Sequence, residues 1–311
     1  MSPENTSGIR TPYLDRIREC YPELRIASVR ANHDGLVNDV VIVNDELVFR
    51  FPKNDTWARQ LLVGEIRVLN LVRRYVSLPV PAFEIQIDDL VVYRFIKGNA
   101  LLREDILMLD GPGQDRIAAQ LAEFFRQLHS IPRDELERNA IPQSDVNRGR
   151  EVWLRLYEDV QRELFPLMWE HTKEWVHRHF APVVRDEHWM DYEPALVNGD
   201  VGSYHIIYDR ERAVINGVID FGTAGIGDPA SDFVCIIYHY GESFLRRMGN
   251  HYSGIGALID RARFWAGTLE LQWALRGIRT QNAEWFTVHI GSARDVLPIG
   301  SGWPERQTAS E

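Results

Sequence analysis

The sequence predicts an α+β protein built as two lobes, a small β-rich one followed by a large helical one. Three observations carry that reading. Two hairpin patterns around one helical pattern fill the first hundred residues, helical periodicity dominates the rest, and a short island of strand character near residue 206 is flanked by two aspartates. The expected division is 1–97 for the first lobe and 98–311 for the second.

Residues 40–43 and 47–51 are apolar and β-branched around Asn44-Asp45, a pair suited to a tight hairpin turn. Leu61, Leu62, Ile66, Leu69 and Val72 then recur at helical spacing over 57–75, until Leu78-Pro79-Val80-Pro81 breaks the pattern. A second hairpin follows at 83–87 and 90–95, turned at Asp88-Asp89. Beyond Gly98, Ile117, Leu121, Phe124, Phe125 and Leu128 mark one face of a helix over 115–129, and further helices are expected at 151–164 and 173–180. The island comprises strands at 206–208 and 214–219; from Pro229 the chain reads as helix to about residue 293, and 297–311 is rich in Gly, Pro and Ser.

The bulk properties exclude several classes. With 311 residues, 45% hydrophobic and 26% charged, the chain can bury a large core. A net charge of -10 argues against nucleic acid, which demands clustered Lys and Arg, and suits a cationic partner. No run of about 20 apolar residues offers a membrane span. The polar start lacks a signal-peptide layout, and two cysteines, Cys20 and Cys235, make neither a disulfide framework nor a zinc site. Both thiols are expected to be reduced and buried, in a cytoplasmic protein.

The chemistry concentrates in two segments. In 196–205 an apolar approach delivers Asp200 into a glycine-containing loop, with His205 just ahead of a strand; in 217–222 a second strand ends at Asp220. Two carboxylates at the ends of adjacent short strands, with a neutral ligand between them, suit a hard cation such as Mg2+. The plain alternative is two surface turns, each with an incidental aspartate.

Asn198-Gly199-Asp200 with His205, then Val218-Ile219-Asp220-Phe221-Gly222, then Gly227-Asp228-Pro229-Ala230-Ser231-Asp232-Phe233, resembles the aminoglycoside phosphotransferases over nearly the whole chain. The likeness is greatest to the 2''-phosphotransferase branch, through His205 and the strand ending Phe49-Arg50-Phe51-Pro52-Lys53; macrolide kinases are near relatives. The resemblance implies a bilobal protein-kinase-like fold. It also implies that Asp200 orients the acceptor hydroxyl, while His205 and Asp220 hold the Mg2+ of ATP or GTP. One departure is Asn198, where the family usually carries a histidine that braces the catalytic loop.

Within this frame Lys53 ends an apolar strand, where a cation reaches the α/β-phosphates, and Glu65 on the next helix is placed to pair with it. Two solvated charges are the alternative. The loop 32–38, with Gly35 its only glycine and no Walker or GxGxxG pattern, is expected over the phosphates. Tyr93 resembles a gatekeeper whose bulk favours GTP, or is simply a core tyrosine; backbone groups of Arg94 and Ile96 would meet the base. Asp228-Pro229 follows Asp220 too soon for an activation segment, so the acceptor is a small molecule. Asp228 and Asp232 read as structural caps. Glu242, Glu270 and Trp285 are the candidates for acceptor contact, on a helical region poor in acids. The expected reaction is transfer of a γ-phosphate from ATP or GTP to a hydroxyl of an aminoglycoside-like, cationic molecule. A macrolide or other hydroxylated metabolite, or a catalytically weak nucleotide-binding protein, remains open.

Overall fold

A computed structural model of the chain describes residues 11–33, 37–53, 56–87, 90–144, 149–281, 299–300 and 302. It begins with a helix that the hairpin reading does not anticipate, α1 (Thr11–Cys20). Strands β1 (Val29–Asn32), β2 (Asn38–Val43) and β3 (Leu47–Pro52) follow, then α2 (Thr56–Val72), β4 (Phe83–Ile87) and β5 (Leu90–Arg94). The strands form one antiparallel sheet in the order β1-β2-β3-β5-β4. Asn44 and Asp45 turn β2 into β3 with φ of 58° and 52°, the left-handed pair that a two-residue hairpin requires. The second expected turn, Asp88-Asp89, lies outside the described residues.

Side chains alternate across a strand, and β3 shows what that does here. Phe49 and Phe51 join Val41, Val43, Leu90 and Val92 in a buried cluster closed by Ile17 of α1. The intervening residue, Arg50, is buried on the opposite face, where α2 lies.

The chain then runs through β6 (Asn99–Ala100), α3 (Arg103–Leu107), α4 (Gly111–His129), α5 (Arg133–Arg138), α6 (Arg150–Asp159) and α7 (Glu170–Arg185). Four short strands come next, β7 (Ala195–Val197), β8 (Ile206–Asp209), β9 (Val214–Val218) and β10 (Gly225–Gly227), and then α8 (Asp232–Tyr240), α9 (Glu242–Gly249) and α10 (Ile255–Thr280). Helix α4 starts where the Asp110 side chain accepts from Gly113 N at 2.8 Å, and it buries the face predicted from spacing: Ile117, Leu121, Phe124, Phe125 and Leu128. This face nucleates the larger core, which α8, α9, α10 and the end of α2 share. Among the described residues no helix is long and apolar enough to cross a membrane. Cys20 and Cys235 form no disulfide, but both are half-buried and not fully buried as expected, because Cys20 lies at the margin of the first cluster and Cys235 lines a cavity.

One buried titratable group yields a stability prediction. His179 of α7 stacks between Trp175 and Phe264, with ring centroids 4.8 and 5.1 Å away, and bonds the Phe264 carbonyl at 2.9 Å. Burial holds the imidazole neutral, with its pKa lowered to about 4. The unfolded chain binds this proton near pH 6.5 and the folded chain does not, so stability is full above pH 6.5 and falls as pH drops toward 4. Between pH 7.5 and 5 this group alone is expected to cost about 2 kcal/mol. Urea unfolding of the parent and of His179→Gln at both pH values checks it; an unchanged pH difference in the variant would assign the loss elsewhere.

Candidate active site

Two strand pairs assemble the site. β7 and β10 pair with Val197 opposite Gly225, which brings the loop after β7 beside the loop before β10. β8 and β9 pair with Ile206 opposite Val218, and the Ile219 amide donates to the His205 carbonyl at 2.8 Å. Asp200, His205 and Asp220 therefore converge, as their segments predict. His205 Nδ1 lies 2.6 Å from the Asp200 carbonyl and 3.6 Å from Asp200 Oδ2, while Nε2 lies 3.8 Å from Asp220 Oδ2.

Asn198, the departure noted above, is fully buried and uses both ends of its amide. Its Nδ2 donates to the Asp220 carbonyl at 2.8 Å and its Oδ1 accepts from the Asp200 amide at 2.9 Å. One side chain thus ties the two aspartate loops together. Asp220 sits at φ 63°, an unusual conformation for a non-glycine residue, and its Oδ1 accepts from Gly222 N at 3.1 Å. Asp232 completes the brace: it accepts from the amides of Asn198 and Gly199 and contacts His129 Nε2 at 2.8 Å. It is more than a helix cap. Asp228 behaves as predicted, accepting from Ala230 N at 3.0 Å and gripped by Arg261.

The electrostatics separate the two carboxylates. Burial, with the Asp220 charge nearby, raises the Asp200 carboxyl above its ordinary value, against the opposing pull of His205. Burial would raise Asp220 as well, but the Arg50 charge, His205 and the Gly222 amide hold it below the usual range. For His205, burial opposes the charged form, yet the two carboxylates keep its pKa above the ordinary imidazole value.

The expected Lys53–Glu65 pair is not what forms. Arg50 binds Glu65 with both ends of its guanidinium, at 2.7 and 2.9 Å, in full burial. The reason is strand parity: three positions apart, Arg50 and Lys53 point to opposite sides of β3, and only Arg50 faces α2. Lys53 Nζ instead donates to the His33 carbonyl at 2.9 Å and lies 3.8 Å from Asp39, which also accepts from Tyr13 of α1. Glu65 further accepts from the Phe221 amide at 3.2 Å, next to Asp220. Tyr93 is buried close to Arg50; burial pushes its phenol up to about 12. Arg94 ends β5 opposite Leu47, its side chain on Glu84 at 2.7 Å, and Ile96 packs over Gly217. Gly35 lies outside the described residues.

A cavity of about 730 Å3 opens beside Asp200. Cys235, Tyr238 and His239 of α8 and Trp265, Trp273 and Arg276 of α10 are among its walls. Among the described residues, Asp200 is the only carboxylate that lines it. Glu242, expected to face an acceptor, is fully buried and held by Arg263 at 2.5 and 3.1 Å; it is structural, since a buried arginine demands a partner. Glu270 is half-buried on α10 but off the cavity wall, where its neighbours Leu269 and Gln272 stand. Trp285 lies outside the described residues. Trp265 and Trp273 were readable only as apolar positions of a long helix, and Asp232 only as a cap.

Comparison with known proteins fits this geometry. Residues 28–265 match the model of the phosphotransferase enzyme family. A viomycin phosphotransferase of Streptomyces vinaceus is 30% identical over 187 residues, 58% of this chain and 62% of that protein. The matched stretch is thus under two thirds of that relative's length. The structure of the GDP and kanamycin complex of APH(2'')-IIIa is 26% identical with a TM-score of 0.79, covering 90% of this chain and 96% of that one. A macrolide 2'-phosphotransferase type I shares the fold at 20% identity and a TM-score of 0.69, over 93% of this chain and 98% of that one.

Proposed function

The chain belongs to the phosphotransferase enzyme family, and from that premise we propose that it is an antibiotic kinase transferring the γ-phosphate of ATP or GTP to an acceptor hydroxyl. The observation that carries this reading is the convergence of Asp200, His205 and Asp220, with Asn198 joining the two aspartate loops. In it Asp200 accepts the hydroxyl proton as the hydroxyl attacks phosphorus in line. A carboxyl raised toward the working pH is suited to that task.

His205 and Asp220 would hold the magnesium. Two protein ligands fit that ion, because Mg2+ keeps waters and phosphate oxygens in its shell, and His205 Nε2 and Asp220 Oδ2 lie 3.8 Å apart. When bound, it neutralises phosphate charge. Asp220, kept below the usual carboxylate range, stays ionised for this. Arg50, aimed by Glu65, takes the place of the expected lysine as the cation nearest the phosphates, with Lys53 beside the loop at 33. Tyr93 narrows the base pocket and favours GTP, with backbone groups of Arg94 and Ile96 meeting the base. The lobes would divide near residue 97, between β5, which belongs to the first sheet, and β6, which pairs with β8. A cytoplasmic enzyme that confers resistance is the biological setting this reading implies.

The acceptor is a hydroxylated small molecule. The relative solved with GDP and kanamycin favours an aminoglycoside, a cationic acceptor. A second reading, a macrolide or a similar uncharged-faced metabolite, is favoured by the tryptophan and arginine side chains on the cavity wall. Turnover of Mg-ATP and Mg-GTP against kanamycin, viomycin and a macrolide tests both. At least one acceptor is expected to stimulate nucleotide consumption, with GTP preferred. Equal or better use of ATP would remove the role given to Tyr93. No stimulation, together with no rise in melting temperature on adding either Mg-nucleotide, would overturn the kinase reading.

A further inference from the structure

The face of α8 that walls the cavity also touches the loop carrying Asp200, at two points one helical turn apart. Cys235 Sγ lies 3.6 Å from Asp200 Oδ1, and His239 Nδ1 lies 3.2 Å from Ser203 Oγ. Positions i and i+4 share a helix face, so both contacts come from one rigid edge. The fit between helix and loop is close. A Cβ at Gly202 would stand 2.8 Å from His239 Nε2 and 3.7 Å from Cys235 Cβ, so only glycine lets the loop lie this near. Both residues also line the cavity, on the side from which an acceptor reaches Asp200.

Apart from His205, whose Nδ1 lies 3.6 Å from Asp200 Oδ2, the other contacts to this loop act on its main chain. Asp232 takes the amides of Asn198 and Gly199, and Asn198 takes the amide of Asp200. The main-chain bonds leave the carboxylate between two neighbours, His205 on Oδ2 and Cys235 on Oδ1. Burial raises the Cys235 thiol well above its ordinary value, so the group is an S–H donor. A thiol is a weak donor, which can orient a carboxylate oxygen without holding it against an incoming hydroxyl.

We propose that Cys235 and His239 are positioning residues, a two-point clamp through which α8 aims the Asp200 carboxylate at an acceptor hydroxyl in the cavity. The proposal rests on the kinase reading above. It separates acceptor-side positioning from nucleotide binding, because Cys235 and His239 stand on α8 at the cavity, whereas Arg50 and Glu65 belong to β3 and α2.

The test compares Cys235→Ala, His239→Ala and the double variant with the conservative Cys235→Ser and His239→Asn, which keep a polar atom at the same branch point. Two probes are read: phosphorylation of kanamycin, and phosphate release from Mg-GTP to water, which needs no antibiotic. Turnover is expressed per Mg-GDP-binding site, so misfolded material does not count. Each alanine variant is expected to lower kcat by about five- to tenfold through misaligned attack, with Mg-GDP affinity within about twofold. The double variant should lose less than the product of the two, since the contacts act as one clamp and losing either already frees the loop. Cys235→Ser and His239→Asn should recover most of the rate. Full kcat in the alanine variants would overturn the clamp, as would equal losses of kcat and Mg-GDP affinity, or no recovery in the conservative pair. Asp200→Ala run in parallel tells the two levels apart. If the parent phosphorylates no acceptor, the kinase reading fails; if Asp200→Ala stays active, the role of Asp200 fails and the clamp with it; if it is inactive while the alanine variants are normal, only the clamp fails.

Discussion

Replacing Asp200 with alanine is expected to lower kcat by about 10²- to 10⁴-fold while Mg-nucleotide binding is nearly unchanged. The split follows from where the side chain stands. Its carboxylate is half-exposed on the cavity side, with His205 and Cys235 as side-chain neighbours, whereas the loop is held by main-chain bonds that alanine keeps. The group proposed for the nucleotide side, Arg50 with Glu65, lies on β3 and α2 and should not feel the change. Steady-state turnover with calorimetric Mg-GDP affinity measures both halves. A variant with more than about a tenth of the parent rate would remove Asp200 from the proton-accepting role.

The second large effect is expected from Glu65→Ala, and it is an effect on stability as well as on nucleotide binding. Glu65 and Arg50 are both buried, and removing the carboxylate strands a guanidinium that cannot shed its proton. Breaking such a pair from one side costs about 3–5 kcal/mol. The Phe221 amide loses its acceptor in the same step. Glu65→Gln keeps hydrogen-bonding atoms without the charge and should fall between parent and alanine. Urea unfolding in the absence of nucleotide gives the number directly. A cost below about 1 kcal/mol for Glu65→Ala would mean that water reaches Arg50 and that the pair is not buried in solution.

How much of this was legible before the fold was known depended on how local the chemistry is. Asp200, His205 and Asp220 were readable because each sits in a short segment whose apolar approach, turn and strand are contiguous. The hairpin at 44–45 was readable for the same reason, and so was the buried face of α4. The partner of Glu65 was misread by looking for a lysine at the strand end; the alternation of Val48, Phe49, Arg50 and Phe51 already places the arginine on the face opposite the phenylalanines. Helix α1 was missed because its contribution to the core cluster is essentially Ile17, with Tyr13 packed beside it, too sparse a pattern to stand out. Asp232 and Glu242 could not be judged from sequence. Their partners, the loop at 198–199 and Arg263, are distant in the chain, and a carboxylate at the head of an apolar helix looks the same whether it caps, braces or binds.

Glu65 also has a mechanical meaning. Its carboxylate is gripped by Arg50 of the small sheet while one oxygen accepts from the backbone of Phe221 in the helical half, so sheet, helix and loop meet on a single group. Such a point behaves as a light latch. The ion pair lies wholly within the first lobe, so parting the halves would break only the single hydrogen bond from the Phe221 amide, worth about 1 kcal/mol, and leave the pair intact. The arginine keeps the carboxylate aimed, and the same bond re-forms whenever the halves meet.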